Sequence, residues 1–212
     1  MPDTKAAPRH ASFVEITGDP NLPNVLLIGD SISMGYTIPT RERLKGRANV
    51  YRPFENCGPT SRGLAQLDEW LGDRKWDVIH FNWGLHDLRY VDGGDGLTEP
   101  GKGRLFTSVE QYKENLGKLV SRLKTTGAKL IWATTTPVPE GASGRKLGDA
   151  AIYNIAAAEI VNEPGITIND LHAFALPRLN ELQLPRDVHF TQEGSAALAD
   201  QVTAAILERL SE

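Results

Sequence analysis

Apolar residues follow two rhythms along this chain. Short, nearly unbroken apolar runs alternate with longer stretches in which apolar positions return every three or four residues. Residues 24–29 (Asn-Val-Leu-Leu-Ile-Gly) form the first run, the pattern of a strand buried on both faces. Residues 48–52, 77–82, 128–135 and 166–169 read as four further strands. Between them the helical rhythm predicts a helix over 33–45, interrupted by Pro39. A second is expected over 60–71, where Leu64, Leu67, Trp70 and Leu71 share a face and Thr60 or Ser61 caps the start. Others are expected over 108–125, with Glu110 at capping-box reach of Thr107 and Gly127 as its stop, and over 147–162. The last two cover 171–182, around Pro177, and 191–210, with Glu193 behind Thr191.

Strands alternating with helices predict an α/β fold, a five-stranded parallel sheet covered on both faces. No repeat or linker divides the chain. The reading is an N-terminal extension over 1–23, draped on the surface, followed by one domain over 24–212. Two long loops interrupt the alternation: a glycine-rich stretch over 89–106 and a second over 137–147. Loops of that length are functional or disordered.

Composition narrows the classes. With 40% hydrophobic and 24% charged residues, the 212-residue chain has an ordinary globular make-up. A net charge of −4 with no clustered Lys/Arg face argues against a nucleic-acid partner, and no apolar run approaches a membrane span. Cys57 is the single cysteine, so no internal disulfide forms. Residues 1–20 carry no signal-peptide core, so the chain as written is expected to be cytoplasmic; a periplasmic or secreted place would follow if a leader had been removed.

The chemistry collects at the carboxyl ends of the expected strands, where open α/β sheets bind ligands. Ser31 follows the first strand, Asn56-Cys57-Gly58 the second, and Asn82, Gly84, His86 and Asp87 the third; Asp187 and His189 precede the last helix. Alone, Gly29-Asp30-Ser31 fits a helix N-cap equally well. Together the residues supply a nucleophile, a base, an acid to orient it and donors for an oxyanion.

Gly29-Asp30-Ser31, Gly58, Gly84-Leu85-His86-Asp87 and Asp187-Val188-His189, in this order, resemble the motif blocks of the SGNH (GDSL-type) hydrolase family. The resemblance runs from the first strand to the last helix. It implies a three-layer α/β/α, flavodoxin-like fold and ester hydrolysis without metal or cofactor. It also implies Ser31 as nucleophile, His189 as general base and the N–H groups of Ser31 and Gly58 as oxyanion donors.

Two positions depart from the family pattern. His86 stands where the family has an asparagine whose amide is the third oxyanion donor; a neutral imidazole still offers one N–H, and Asn82 is a substitute candidate. The family acid lies three residues before the histidine, where this chain has Arg186; Asp187, two before, is the expected acid. Asp30, Trp83, Gly84, Arg89 and Arg145 complete the expected site as substrate-binding positions. Asp30 and Asp87 also read as turn and cap scaffolding.

The remaining histidines have plainer readings: His80 inside a strand is a core residue, His172 a cap or surface residue, and His10 part of the tail. Trp70, Trp76 and Trp132 are expected in the core, Trp83 beside the site. Residues 96–103 imitate a P-loop but lack the Ser/Thr after Lys102, and no metal-ligand spacing occurs. Both long loops are polar, with Arg89, Asp92, Asp95, Lys102, Arg104, Glu140 and Arg145. A polar rim suits a small acyl group on a hydroxyl-rich carrier, so removal of acetyl from a carbohydrate is the expected reaction. The rival expectations are a lysophospholipase or thioesterase, and a catalytically impaired ligand-binding member of the same fold.

Overall fold

In the computed structural model, which describes residues 10–212, the five apolar runs pair as one parallel sheet. Its strands are β1 (Asn24–Ile28), β2 (Asn49–Tyr51), β3 (Val78–Phe81), β6 (Lys129–Ala133) and β7 (Ile166–Asn169), while β4 (Tyr90–Val91) and β5 (Arg104–Leu105) form a separate antiparallel ribbon. The order is β2-β1-β3-β6-β7. The register sets Leu26 beside Tyr51 and Ile79, and Phe81 beside Ile28 and Trp132. Helices α1 (Ser31–Arg43) and α7 (Gln192–Ser211) pack on each other over one face; α2 (Thr60–Leu71), α3 (Val109–Lys124) and α4 (Asp149–Val161) pack in succession over the other. Covered on both sides, Val25–Ile28 and all of β3 are buried, which is why they read as unbroken apolar runs.

This strand order places the site. The chain leaves β1 toward β2 on one side and returns to β3 on the other. The crevice of such a sheet opens between the carboxyl ends of β1 and β3, where the order reverses. Ser31 and His86 stand at those two ends.

Several local expectations change. α1 begins at Ser31, not residue 33, because the Asp30 side chain accepts the Ile32 N–H and caps the helix. Pro39 lies inside α1 without breaking it: the proline forfeits one backbone bond, and the helix is held along its length by α7. α2 has no side-chain cap of its own. Its Thr60 N–H is taken by the Asp87 carboxylate at 3.1 Å, and the Thr60 hydroxyl donates to the same group at 2.5 Å. Leu64, expected on the buried face, is exposed. Ser108, not Thr107, caps α3.

The 89–106 loop is the β4–β5 ribbon, and its P-loop-like glycines serve the turns of that ribbon. The 171–182 segment is three short pieces: α5 (Leu171–Ala175), a 3-10 turn (Leu176–Arg178) and α6 (Leu179–Leu182). Of the expected N-terminal extension, residues 1–9 lie outside the described residues. Further on, a 3-10 turn at Ala11–Phe13 packs on α1, and Arg41 donates to the Ser12 carbonyl. Among the described residues no helix is long and apolar enough to cross a membrane.

Burial pushes the Asp87 carboxyl up to about 6, against the hydrogen bonds from Thr60 and Thr107 that pull it down. The folded state therefore holds this proton more tightly than the unfolded chain. The group's contribution to stability is complete below about pH 4 and is lost as pH rises through about 6. The rise from an ordinary 3.8 to about 6 is worth about 3 kcal/mol. Relative to an Asp87→Asn variant, the parent is expected to lose stability by up to that amount between about pH 4 and about pH 7.5, read by chemical denaturation. A difference between the two proteins that stays flat with pH overturns this.

Candidate active site

Ser31 is the first residue of α1, so its N–H is one of the free donors at a helix start. The Ile32 N–H goes to Asp30 Oδ1 at 2.9 Å, and the Ser31 N–H has no partner among the described residues. Asp30 is therefore the cap and Ser31 the presented hydroxyl: the two readings of Gly29-Asp30-Ser31 hold together. Asp30 is almost fully buried and turned to the helix, which removes it from the expected substrate-binding set.

The Ser31 hydroxyl lies 2.9 Å from His189 Nε2, and His189 Nδ1 lies 2.7 Å from Asp187 Oδ1. An ionised carboxylate only accepts, so Nδ1 carries the proton and Nε2 is left to accept from Ser31. Burial pushes the Asp187 carboxyl up, but bonds from the backbone and ring of His189, with Arg145 nearby, outweigh it and hold it below the usual range. The short Asp-x-His spacing works because Asp187 Oδ1 also accepts the His189 N–H at 3.1 Å, folding the side chain back along its own loop. Arg186, at the family's usual acid position, has φ +58 and turns the chain there. Gln183 donates to the carbonyls of Pro137 and Val188 and fastens this loop ahead of α7.

The next loop is joined to the first. The Cys57 N–H donates to the Gly29 carbonyl at 3.3 Å, which brings Gly58 alongside the Ser31 turn. Gly58 has φ +57, a conformation that favours glycine, and its N–H donates to Asn56 Oδ1 at 2.9 Å. His86 is half-buried, within electrostatic reach of Asp30, Arg145, Arg89 and His189. Burial first, then the two arginines and His189, lower its pKa against the pull of Asp30, so its ring is a neutral, single-proton donor.

Two expected positions are corrected. Trp83 is fully buried and packs on Phe81 in the core, so it lines no site. Gly84 is buried too; a side chain there would strike Thr135 Oγ1 at 2.0 Å, so its bareness makes room for Thr135 rather than substrate. The Asn82 amide donates one of its two N–H groups to the Ala133 carbonyl at 2.7 Å, which turns the side chain across the sheet. Arg89 and Arg145 remain half-buried beside His86.

Other residues enter with roles that the sequence pattern does not mark. His10, expected in the tail, lines a cleft of about 330 Å³ with Ser31, Ile32, Met34, His189 and Phe190. The buried guanidinium of Arg52 donates to the carbonyls of Gly29, Pro53 and Glu55 and to the hydroxyls of Ser33 and Thr37. Asn56 holds the Gly58 donor. His10 and Arg52 have no local signal, because each acts on residues distant in the chain, whereas Asn56, which the sequence places with Gly58, acts through the turn its own side chain makes. A larger cavity of about 710 Å³ lies at the β2 edge among Tyr51, Arg52, Trp70 and Trp76 and contains neither Ser31 nor His189.

No curated protein sequence matches the chain. Among solved structures it is similar to an acetyl xylan esterase (TM-score 0.69, 17% identity, 86% of this chain and 99% of that one). It is similar to a lipase/acylhydrolase from Enterococcus faecalis (0.72, 18%, 88% and 96%). A mutant acetyl-xylooligosaccharide esterase from Geobacillus also matches (0.67, 17%, 90% and 95%). At such identities these structures establish the α/β fold. The model of the GDSL-like lipase/acylhydrolase family matches residues 27–197. The chain thus belongs to the GDSL-like lipase/acylhydrolase family, whose members are ester hydrolases.

Proposed function

We propose that this enzyme is a serine esterase that removes a small acyl group, acetyl, from a carbohydrate. The observation that carries the reading is the unbroken relay Asp187–His189–Ser31 at the start of α1. His189 Nε2 takes the hydroxyl proton as Ser31 Oγ attacks the ester carbonyl. Asp187, held ionised, keeps the ring in the tautomer this transfer needs. The carbonyl oxygen gains negative charge and is met by the N–H groups of Ser31 and Gly58, with the neutral His86 ring as third donor. His189 then returns its proton to the leaving alcohol. Water, with His189 again as base, releases the acyl group from Ser31.

The substrate class rests on the shape and polarity around this relay. The cleft beside Ser31, about 330 Å³, is at the small end for ligand sites and too short for a long acyl chain, with Ile32, Met34 and Phe190 beside His10 and His189, while the charged Arg89 and Arg145 stand next to His86. Two structural relatives bear the names of acetyl esterases of xylan or its oligomers, which agrees with this choice.

A fluorophosphonate is expected to add one mass equivalent to the protein, and the Ser31→Ala variant to take none; a folded parent with no adduct overturns the esterase reading. Asp187→Asn is expected to lower kcat by roughly 10³- to 10⁴-fold with a smaller change in KM, because the amide no longer enforces the Nδ1–H tautomer. Turnover equal to the parent's would remove Asp187 from the mechanism. Across p-nitrophenyl esters, kcat/KM is expected to peak at acetyl and fall steadily with chain length. A maximum at long acyl chains would move the enzyme to the lysophospholipase or thioesterase class.

A further inference from the structure

We propose, building on the esterase reading, that the ester is carried by an anionic saccharide whose carboxylate or sulfate is held by Arg89 and Arg145 beside His86. Residues 84–88 form a single turn, with the Asp87 and Leu88 N–H groups both donating to the Gly84 carbonyl at 2.9 Å. Arg89 follows directly on that turn and lies within electrostatic reach of His86. The Arg89 guanidinium lies over the Phe106 ring, 4.1 Å from the centroid. It makes no hydrogen bond or ion pair among the described residues, and its Nε is buried without a partner.

Arg145 arrives from the other long loop. Its Nε and Nη1 donate to the carbonyls of Leu85 and Ser143 at 3.1 and 3.2 Å, which anchors it next to His86. Neither contact neutralises its charge. The two guanidinium groups are close enough to repel each other, and both act on His86. Arg145 also reaches Asp187, so the pair adjoins the relay.

Asp30 and Asp187 attract the Arg145 charge from a distance, but both leave its guanidinium unpaired. Asp30 is turned to the Ile32 N–H and almost fully buried, and Asp187 is bound to His189; neither forms an ion pair with either arginine. On the ribbon itself, Arg104 pairs with Asp95 at 2.8 Å and Lys102 with Glu99 at 2.8 Å, while Asp92 turns to the N–H groups of Gly94 and Gly96. Arg104 and Lys102 on the ribbon are thus paired, whereas Arg89 and Arg145 beside His86 are in no ion pair among the described residues. Two like charges held together in a half-buried site are stabilised by an anion seated against both, and guanidinium forks match the planar carboxylate and the sulfate oxygens.

The test is calorimetric binding of unesterified trisaccharides to the intact protein: trigalacturonate, a sulfated galactan trisaccharide and neutral xylotriose. At least one anionic probe is expected to bind about 10- to 100-fold more tightly than xylotriose, and less so as salt is raised. Which one does so assigns carboxylate or sulfate. Arg89→Gln is expected to erase most of that preference and Arg89→Lys to keep part of it. The ratio of kcat/KM on acetylated anionic over acetylated neutral oligomers should fall in step. Equal or undetectable binding of anionic and neutral probes, or an unchanged preference in Arg89→Gln, overturns the proposal. Binding needs no turnover, so a protein that takes no fluorophosphonate yet prefers the anionic probe would reject the esterase reading alone.

Discussion

The buried guanidinium of Arg52 holds the catalytic edge of the sheet together. Removing such a charge from water costs several kcal/mol unless every donor finds an acceptor. Here its hydrogen bonds run to three carbonyls, those of Gly29, Pro53 and Glu55, and two hydroxyls, those of Ser33 and Thr37. Those acceptors belong to the end of β1, the first turns of α1 and the loop that leads to Gly58. A lysine has three donors and no planar fork, so it could not bind the same set. The turn that presents Ser31 and the loop that presents the Gly58 N–H are positioned by one side chain. The direct Cys57 N–H bond to the Gly29 carbonyl gives a second tie between them.

Asp87 does from β3 what Arg52 does from β2. Its carboxylate stands in for the missing side-chain cap of α2, and its backbone carbonyl accepts the Thr107 N–H ahead of α3. The loop bearing Gly58 is pinned upstream by Arg52 and downstream by Asp87. Both anchors are buried ions, and both are destabilised by that burial in their charged forms. The fold accepts this cost at its catalytic edge, where a fixed arrangement of donors matters more than the last increment of stability.

The strands were legible because burial on both faces writes itself into consecutive apolar residues, a signal local to each run. The blocks around Ser31, Gly58 and His189 were legible through the family resemblance, and the fold brings Ser31, His189 and Asp187 into one hydrogen-bonded line. What escaped is non-local or depends on a single backbone angle. The cap of α2 comes from a residue far along the chain, so Thr60 and Ser61 looked like the only candidates. The Asp187 spacing looked one residue out of register because the left-handed turn at Arg186 leaves no mark in composition. Trp83 was a different kind of miss. It follows Phe81 by two residues, and strand periodicity carried one step further points both rings to the same side, where they meet at 6.1 Å in the core.

The Gly58 donor shows why a site can be ordered and still favour the transition state. In the free protein its N–H is held by the neutral amide oxygen of Asn56. An ester carbonyl entering the site is also neutral and gains little by competing for that hydrogen. Once Ser31 attacks, the same oxygen carries negative charge, and a charge-assisted bond is roughly twice as strong as the neutral one it displaces. If the Gly58 N–H meets the oxyanion as proposed, Asn56 sets a threshold that the neutral carbonyl does not cross and the tetrahedral intermediate does. On the proposed mechanism the donor's energy is then expressed mainly where charge develops, which raises turnover rather than ground-state affinity.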